Sequence, residues 1–439
     1  MASINKRYIL YLLLRRRYLF LYNLHQKMLR ENTKTRKRKR RFWIRKLYEE
    51  RNVKGEYKLL INDMRLHDRE MFFRYFRMFP KTYESLLKLI GPDIKKVSTK
   101  MREPIGPDQR LAVTLRYLTT GDAYSTIGAN YGMSATTVGR IIDETCNSIW
   151  NRLKEAGYID TPSGVEAWRK IANEFEARWN FPNALGAIDG KHVLMFAPDN
   201  QSSAFFNYKK THSIVLMAVC DAQYKFTMVD IGDSGRQSDG SVYANSNLGY
   251  AIENKLLDTP PDCQISNSNK VLPYVFVGDD AFGLKRHMMK PYPFSNLSES
   301  KLVFNYRLSR ARRVIENTFG ICASRFRVFH RPIIAKVPKV IAITKAVVAL
   351  HNFLMTINET DRESHYCPST FVDQDGPNGL HLGEWRQDAN IMNGIASIQN
   401  VGASRNYGGE AKWVREQFEH YFNNEGAVDW QWDKIGKAK

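Results

Sequence analysis

Short apolar runs that end in aspartate, in the middle of the chain, are the feature that most limits its fold. Runs of about four to eight residues bounded by turn-forming residues are typical of buried β-strands. Segments with helical spacing lie before, between and after these runs, and such alternation predicts a mixed α/β sheet flanked by helices. The three runs, each with the residues that close it, are Ala184–Ile188 before Asp189, Ser213–Cys220 before Asp221, and Tyr274–Val277 before Gly278, Asp279 and Asp280.

Asp189 and Asp279 are the two aspartates that suggest chemistry, because each follows a predicted buried strand. Gly190 lets the chain turn after Asp189, and open α/β sheets place ligand sites at the carboxyl ends of their strands. Two neighbouring carboxylates repel each other unless a cation lies between them, and hard oxygen ligands select Mg²⁺ or Mn²⁺. Asp280 is the alternative to Asp279, since neighbouring side chains of a strand point to opposite faces. Taken singly, each aspartate is more often a turn or cap residue.

The net charge of +21 is concentrated in two segments. Residues 1–50 hold 16 lysines and arginines against three acids, and they include the run Lys34–Arg41. Residues 301–340 hold ten against one acid, Glu316. Such an excess indicates a polyanionic partner, either nucleic acid or an anionic membrane surface. The apolar run Tyr8–Leu14 is far shorter than the roughly 20 residues of a membrane span, so we expect no membrane partner.

The run Lys34–Arg41 is typical of a nuclear-localisation or nucleic-acid-binding tract, and a solvated arm is the alternative. Glu316 lies among arginines on a predicted basic helix, Arg307–Cys322. It is the third acidic candidate for a site. The alternative is a surface ion pair with Arg312 or Arg313 at helical spacing, which would contribute little.

Residues 107–153 have the pattern of a helix-turn-helix. A first helix ends at Gly121, a short second helix follows, and Ser134 can cap a longer third helix. The exposed start of that third helix carries Thr136, Thr137 and Arg140, which we predict to contact DNA. An ordinary helical bundle is the alternative.

Six ordered blocks make the chain recognisable as a relative of one enzyme superfamily. It resembles the DDE endonucleases of the PIF/harbinger transposase superfamily, which include harbinger transposase-derived nucleases and plant proteins related to antagonist of like heterochromatin protein. The resemblance covers about residues 181–354. The blocks are Phe181–Val193, Phe205–Phe226, Gly235–Tyr243, Tyr274–Pro293, Phe304–Phe329 and Ala349–Leu354.

The resemblance implies an RNase H-like catalytic domain with Asp189, Asp279 and Glu316 as catalytic residues and metal ligands. It adds Asp239 as a further metal ligand, for which a helix N-cap is the alternative. The implied reaction is cleavage of DNA phosphodiesters by two Mg²⁺ or Mn²⁺ ions, followed in transposases by strand transfer. The same superfamily contains domesticated members that bind DNA or chromatin without cleaving, and this alternative stays open.

The resemblance also bears on partners and location. It implies a Myb/SANT-like partner protein and a nuclear location, with the cytoplasm as a second location, and it leaves the oligomeric state open, a homo-oligomer included. Basic residues near the acids are predicted phosphate contacts, namely Lys209, Lys210, Arg312 and Arg313. The predicted organisation is a basic arm at 1–54, an all-α helix-turn-helix-containing region at 55–155, the catalytic domain at 181–355 and a partly disordered tail at 356–439.

Overall fold

The computed structural model describes Leu21 and residues 45–98, 103–198, 202–236, 239–293, 295, 297–360, 365–376, 379–388, 393–398 and 408–436. The basic run Lys34–Arg41 lies outside the described residues. The chain divides into two compact units, Met1–Glu49 and Glu50–Lys439. In the first unit the structure describes the short helix α1, Lys46–Glu49. All further elements belong to the second unit.

Helices occupy the part of the second unit that precedes the sheet. A π-helical turn, Tyr57–Ile61, interrupts them near the start. The helices are α2 (Arg51–Lys54), α3 (Asn62–His67), α4 (Arg69–Phe76), α5 (Pro80–Ile94), α6 (Pro107–Thr120), α7 (Tyr124–Asn130), α8 (Ala135–Glu155) and α9 (Val165–Trp179).

Strands and helices alternate through the remainder, with short 3₁₀ turns at Arg327–His330, Ser369–Phe371 and Glu384–Gln387. The strands are β1 (Ala184–Met195), β2 (His212–Cys220), β3 (Phe226–Ser234), β4 (Cys263–Gln264), β5 (Val271–Leu272), β6 (Val275–Val277), β7 (Met288–Met289), β8 (Gln374–Gly376), β9 (Gly379–His381) and β10 (Ile395–Ser397). The helices are α10 (Ser202–Phe205), α11 (Asp239–Asn245), α12 (Asn247–Glu253), α13 (Glu299–Arg325), α14 (Val337–Thr360), α15 (Gly409–Asn423) and α16 (Gln431–Ile435).

The main sheet is mixed, which confirms the predicted class. Its order is β3-β2-β1-β6-β7, with β10 as a further partner of β1. Strands β1, β2 and β3 are antiparallel neighbours, whereas β6 runs parallel to β1 and β7 parallel to β6. Helices α9 and α13 pack against β1, and α14 packs against β3, so the sheet is flanked by helices.

Asp221, the third aspartate that follows an apolar run in the sequence, lies in the turn of the β2–β3 hairpin. The Asp221 carboxylate accepts hydrogen bonds from the backbone N–H groups of Gln223 and Lys225, both at 2.9 Å. Tyr224 takes the left-handed conformation that closes this turn. Asp221 is therefore a turn residue, as is usual for an isolated aspartate between strands.

The prediction that Asp189 ends a strand is wrong, because Asp189 lies in the middle of β1. Strand β1 continues through Gly190 to Met195, and β2 pairs with it along the whole length from Ala187 onwards. The turn expected at Gly190 does not form, since the ladder to β2 satisfies the backbone groups on that edge.

The other edge of β1 has two partners that leave a gap at Asp189. Strand β6 pairs with the first part of β1, as far as the register pair Ala187 and Val277. Strand β10 pairs with the later part, beginning at Lys191 and Ser397. The backbone around Asp189 is therefore open on this edge, and this gap positions the site described below.

Helices α6 to α8 follow each other as the sequence predicts. Gly121 ends α6 in the left-handed conformation, and the Ser134 hydroxyl caps α8 by accepting from the backbone N–H of Thr137 at 3.2 Å. Helix α8 packs along α14, where the Lys339 ammonium donates to the carbonyl of Gly139 at 2.9 Å. DNA contact by α8 stays a prediction.

Helix α14 is the central helix of the core. Within the part of the chain that the structure describes, its segment Val337–Asn358 is long and apolar enough to cross a membrane. However, 78% of its most apolar stretch is buried inside the protein, where it packs on α8 and β3. The Asn352 amide locks α14 to β3, since it accepts from the Phe226 N–H at 2.8 Å and donates to the Phe226 carbonyl at 2.7 Å.

The region beyond residue 356, where the sequence predicts one short helix near Glu410–Phe422, contributes more than that helix. Helix α15 confirms that prediction and packs against α13, with the Phe418 ring stacked on Phe181 at 5.6 Å. The same region supplies β10 to the main sheet and the turn Glu384–Gln387 beside α13.

Candidate active site

The register of β1 and β6 brings Asp189 and Asp279 together. The parallel pairing reaches Ala187 opposite Val277, and each aspartate follows two residues later on its own segment. Both carboxylates therefore border one cleft of about 410 Å³, at the gap in the edge of β1. Glu316 reaches the same cleft from α13. The lining residues are Asp189, Lys191, Asp279, Asp280, Pro291, Asn305, Leu308, Ser309, Arg312, Glu316, Ser397 and Ile398.

Asp189 lies close enough to Asp279 to affect the protonation of Asp279. Burial, followed by the negative charge of Asp189, raises the pKa of Asp279 to about 6. The Asp279 carboxylate also accepts from the backbone N–H of Ala281 at 3.0 Å, which orients it at the end of β6. Asp280 borders the cleft as well but is more exposed.

Lys191 is a cleft residue that the sequence reasoning missed. Its ammonium lies 2.8 Å from Asp189 Oδ2 and donates to the Ser397 hydroxyl at 3.1 Å. The other oxygen of Asp189 accepts from the N–H of Gly190 at 2.9 Å. Alternation along a strand puts residues i and i+2 on one face, so recognising that β1 continues past Asp189 would have identified Lys191.

Two arginines hold Glu316, and one of them, Arg312, lines the cleft. Arg312, one helical turn earlier, approaches its carboxylate at 2.6 Å, and Arg386 approaches it at 3.5 Å. Burial opposes the charge on Arg312, but the three candidate carboxylates outweigh burial and raise the pKa of Arg312. The i, i+4 pair expected from the sequence forms, and it lies among the candidate acids.

The neighbouring arginine, Arg313, points elsewhere. Its guanidinium pairs with Asp375 at 2.9 Å, and Arg310 pairs with the same carboxylate at 2.5 Å. Successive residues of a helix diverge by about 100°, which separates Arg312 from Arg313. The structure thus brings Arg312 to the cleft and leaves Arg313 in an ion pair outside it.

Lys209 and Lys210 lie on an exposed turn between α10 and β2. The preceding Tyr208 donates its hydroxyl to the carbonyl of Ser397 at 3.0 Å, so this turn lies against the strand that lines the cleft. His192, on the face of β1 opposite Lys191, is buried and hydrogen-bonded to the Ser213 hydroxyl at 2.9 Å. Burial, then the charges of Lys209 and Lys191, lowers the pKa of His192 to about 4, so this imidazole is neutral and structural.

The remaining predicted residues lie away from the cleft or outside the described side chains. Thr136 and Arg140 are exposed and Thr137 half-buried on the first turns of α8, and none of them lines the cleft. Asp239 is the first residue of α11, and its side chain lies outside the described residues.

Comparison with known proteins agrees with this geometry. Residues 188–352 match the DDE superfamily endonuclease family. This segment, less than half of the chain, is therefore similar to the DDE superfamily endonucleases. The matched segment begins one residue before Asp189 and ends in α14 at Asn352, so it contains Asp279 and Glu316 but not β10 or Arg386.

Curated relatives that match between 57% and 66% of the chain confirm the resemblance to the harbinger-related superfamily. "Protein ALP1-like" of Arabidopsis thaliana is 26% identical over 66% of this chain and 72% of its own length. "Protein antagonist of like heterochromatin protein 1" of the same plant is 25% identical over 65% of the chain and 72% of its own length. "Putative nuclease HARBI1" of Homo sapiens is 24% identical over 57% of the chain and 66% of its own length. No solved structure gives a significant match.

The cleft offers two carboxylates to a cation. The negative charge of Asp189 contributes to the raised pKa of Asp279, and a divalent cation between the two carboxylates would reverse that contribution. Glu316 instead faces Arg312, and no three histidine, cysteine, aspartate or glutamate side chains of the described residues converge on one point. The oxygen donors of the two aspartates fit Mg²⁺ or Mn²⁺, and Glu316 would join them after release from its arginines.

The segment of α13 around Glu316 also holds residues 384–387 in place. The Asn317 side chain accepts from the Trp385 indole N–H at 2.8 Å, and Trp385 packs directly on Gly320. This contact brings the next residue, Arg386, to Glu316. The motif that supplies the third acid thus also positions one of its partners.

Proposed function

We propose that this chain is a divalent-metal-dependent DNA endonuclease of the transposase type. The reaction is hydrolysis of a phosphodiester to give a free 3′-OH, followed by transfer of that hydroxyl to a second DNA site. The observation that carries the proposal is that Asp189, Asp279 and Glu316 line one cleft together with Arg312. The sheet order, three antiparallel strands continued by parallel ones, supports the RNase H-like fold that this chemistry uses.

Each side chain of the cleft has a distinct task in this proposal. Asp189 and Asp279 hold Mg²⁺ or Mn²⁺, with Glu316 and Asp239 as further ligands. Bound divalent cations lower the pKa of an attacking water and stabilise the leaving oxygen. Arg312 stands among the acids, where it can bind the phosphate and release Glu316 to the metal site as the phosphate arrives.

Basic residues around the cleft support DNA as the substrate. Lys191 lies inside it, and Lys209 and Lys210 lie on the turn beside β10, where they can contact phosphates on either side of the cleaved bond. We further propose that the start of α8 contacts DNA away from the cleft through Thr136, Thr137 and Arg140. Arg313 is left out of this set, since its ion pair with Asp375 occupies it.

Partners and location are also proposals. The family resemblance supports a Myb/SANT-like partner, and the run Lys34–Arg41 supports nuclear entry. Replacing the basic residues of this run by glutamine in the full chain should move a fluorescent fusion from the nucleus to the cytoplasm. An unchanged distribution would show that the run Lys34–Arg41 does not direct nuclear entry.

A second candidate function has one observation in its favour. Glu316 is paired with Arg312 and Arg386 and is not presented to a metal together with the two aspartates. A domesticated protein that binds DNA or chromatin without cleaving would keep this arrangement permanently. The two candidates differ in whether DNA is cut.

Plasmid nicking distinguishes them. Supercoiled DNA is incubated with the full-length protein and Mg²⁺ or Mn²⁺, and the open-circular product is measured over time. We expect nicking by the wild type and at least about a hundredfold loss in Asp189→Ala and Asp279→Ala, because each removes a metal ligand. Asp160→Ala, an exposed acid between α8 and α9, is the matched control and should keep full activity.

Two outcomes would refute the nuclease. Wild type and both cleft variants could nick equally at a low level, which identifies a contaminating enzyme. Alternatively, the wild type could bind plasmid without nicking it in either metal, which supports the non-cleaving candidate.

A further inference from the structure

A second cavity, outside the candidate active site, is lined mainly by arginines. It encloses about 580 Å³ between α4, α6 and the 3₁₀ turn that follows α13. We call it the arginine pocket, and it is formed by Arg74, Arg77, Arg116, Arg327 and Arg331, with Asp122 as the acid among its lining residues.

The positive charge of the arginine pocket is poorly balanced. Two acids approach it, Asp122 beside Arg331 and Asp388 beside Arg327, each at 3.9 Å, near the upper limit for an ion pair. Among the residues that the structure describes, no carboxylate lies within ion-pair distance of the other three arginines of the pocket. Several guanidinium groups in one cavity repel each other, and an anion between them would relieve that repulsion.

Arg77 illustrates the cost of this arrangement. It ends α4 in the left-handed conformation, at a φ of 61°, and its buried Nε finds no hydrogen-bond partner among the described residues. Burial, followed by the charges of Arg325, Arg327 and Arg116, lowers the pKa of Arg77 to about 10. A partly buried cation whose Nε has no hydrogen-bond partner among the described residues, and which like charges surround, has the character of a ligand-binding group.

We propose that the arginine pocket binds backbone phosphates of the DNA strand that occupies the candidate active site. The inference rests on the proposed function, since it takes DNA as the ligand. Phosphate oxygens are the natural partners of clustered guanidinium groups, and five guanidinium groups line this one cavity.

Continuity between the two sites favours DNA over a free polyphosphate. Arg386 contacts Glu316 in the active-site cleft at 3.5 Å, and Asp388, two residues later, lies 3.9 Å from Arg327 of the arginine pocket. Two residues span at most about 7 Å, so the rims of the two sites lie along one stretch of surface.

The distance along this surface can be expressed in nucleotides. Helix α13 runs from Glu316 in the cleft to its end at Arg325, which corresponds to about 14 Å of helix, and the arginine pocket follows directly. A DNA strand advances about 3.4 Å per nucleotide. The arginine pocket would therefore hold the backbone roughly four to five nucleotides from the cleaved phosphate.

The test measures how DNA affinity depends on salt. Fluorescence anisotropy of a labelled 30-base-pair duplex is recorded with the full chain in EDTA at several salt concentrations. Each phosphate contact contributes about 0.9 to the slope of log K against log salt, so Arg74→Gln/Arg327→Gln should lower that slope by about 1.8. Both side chains are exposed, which keeps the risk of misfolding small.

Two control variants accompany this pair. Arg178→Gln/Lys412→Gln removes two exposed cations of α9 and α15 outside the pocket and should leave the slope unchanged. Arg74→Lys/Arg327→Lys keeps the charge and should restore most of the slope. A wild-type slope in Arg74→Gln/Arg327→Gln, or an equal loss in the outside pair, would overturn the proposal.

The source of the phosphate is tested with inositol hexakisphosphate and inorganic pyrophosphate. We expect either compound to compete with the duplex in the wild type and less so in Arg74→Gln/Arg327→Gln. If the compounds bind the wild type but the duplex slope is the same in both proteins, the pocket serves a free polyphosphate and the DNA proposal fails. Because EDTA prevents cleavage, a protein with the predicted slope change that nicks no plasmid would refute the nuclease alone.

Discussion

Gly320→Ala tests how the candidate active site is held together. Gly320 lies one helical turn after Glu316 on α13, and a Cβ added there would lie no more than 2.6 Å from three ring atoms of Trp385. Carbon atoms pack at about 3.5–4.0 Å, so the indole would have to retreat by roughly 1 Å or more. That movement would break the indole hydrogen bond to Asn317 and carry Arg386 away from Glu316.

The magnitude follows from these contacts. Overpacking a filled site costs about 1–3 kcal/mol, and leaving the buried Asn317–Trp385 hydrogen bond unmade costs about 1–3 kcal/mol. The helix preference of alanine over glycine offsets about 1 kcal/mol. We therefore expect Gly320→Ala to lower the free energy of unfolding by about 1–5 kcal/mol.

Urea unfolding followed by circular dichroism measures this change, and tryptophan fluorescence reports the indole movement. Gly409→Ala is the matched control, because Gly409 opens α15 with no atom within 4 Å of an added Cβ. It should be neutral or stabilise by up to about 1 kcal/mol. The packing argument fails if Gly320→Ala unfolds within about 0.5 kcal/mol of the wild type. It also fails if removing the indole by Trp385→Ala leaves the cost of Gly320→Ala unchanged, since neighbours in contact must couple.

Two further predictions concern single side chains. Burial lowers the pKa of His351, on α14, from 6.5 to about 4. Its contribution to the free energy of unfolding is therefore complete above pH 6.5 and is lost as the pH falls towards 4. The difference in the free energy of unfolding between pH 6.5 and pH 4 should be about 3 kcal/mol larger in the wild type than in His351→Gln. Arg312→Gln should reduce plasmid nicking about ten- to a hundredfold while Arg313→Gln reduces it less than about threefold, because only Arg312 faces the candidate acids. Equal losses in the two arginine variants would contradict the separation of these side chains.

The sequence alone was informative wherever local pattern and tertiary structure agree. The cap at Ser134, the helix end at Gly121 and the i, i+4 spacing of Arg312 and Glu316 are local features, and all three form. The sequence also predicted that Asp189 and Asp279 lie close together, and they do. Each follows the residues that pair in the parallel strands β1 and β6, so both lie at the same end of that pairing.

The predictions failed where contacts between segments distant in the sequence determine the structure. Gly190 followed by polar residues resembles a turn, yet β2 on one edge and β10 on the other extend β1 beyond it. Strand β10 is three residues long, too short to show a period in the sequence. Arg386 reaches Glu316 only because Trp385 docks on Gly320, and no local spacing encodes that contact.

The late position of β10 in the chain has a consequence for biosynthesis. Strands β1 to β7 and helix α13 leave the ribosome before Ile395–Ser397, so a nascent chain can assemble most of the sheet while the edge beside Lys191 has no partner. The wall of the cleft that includes Ser397 is therefore completed only after this residue has left the ribosome. If the protein cuts DNA, ribosome-bound chains stalled before residue 395 should be inactive.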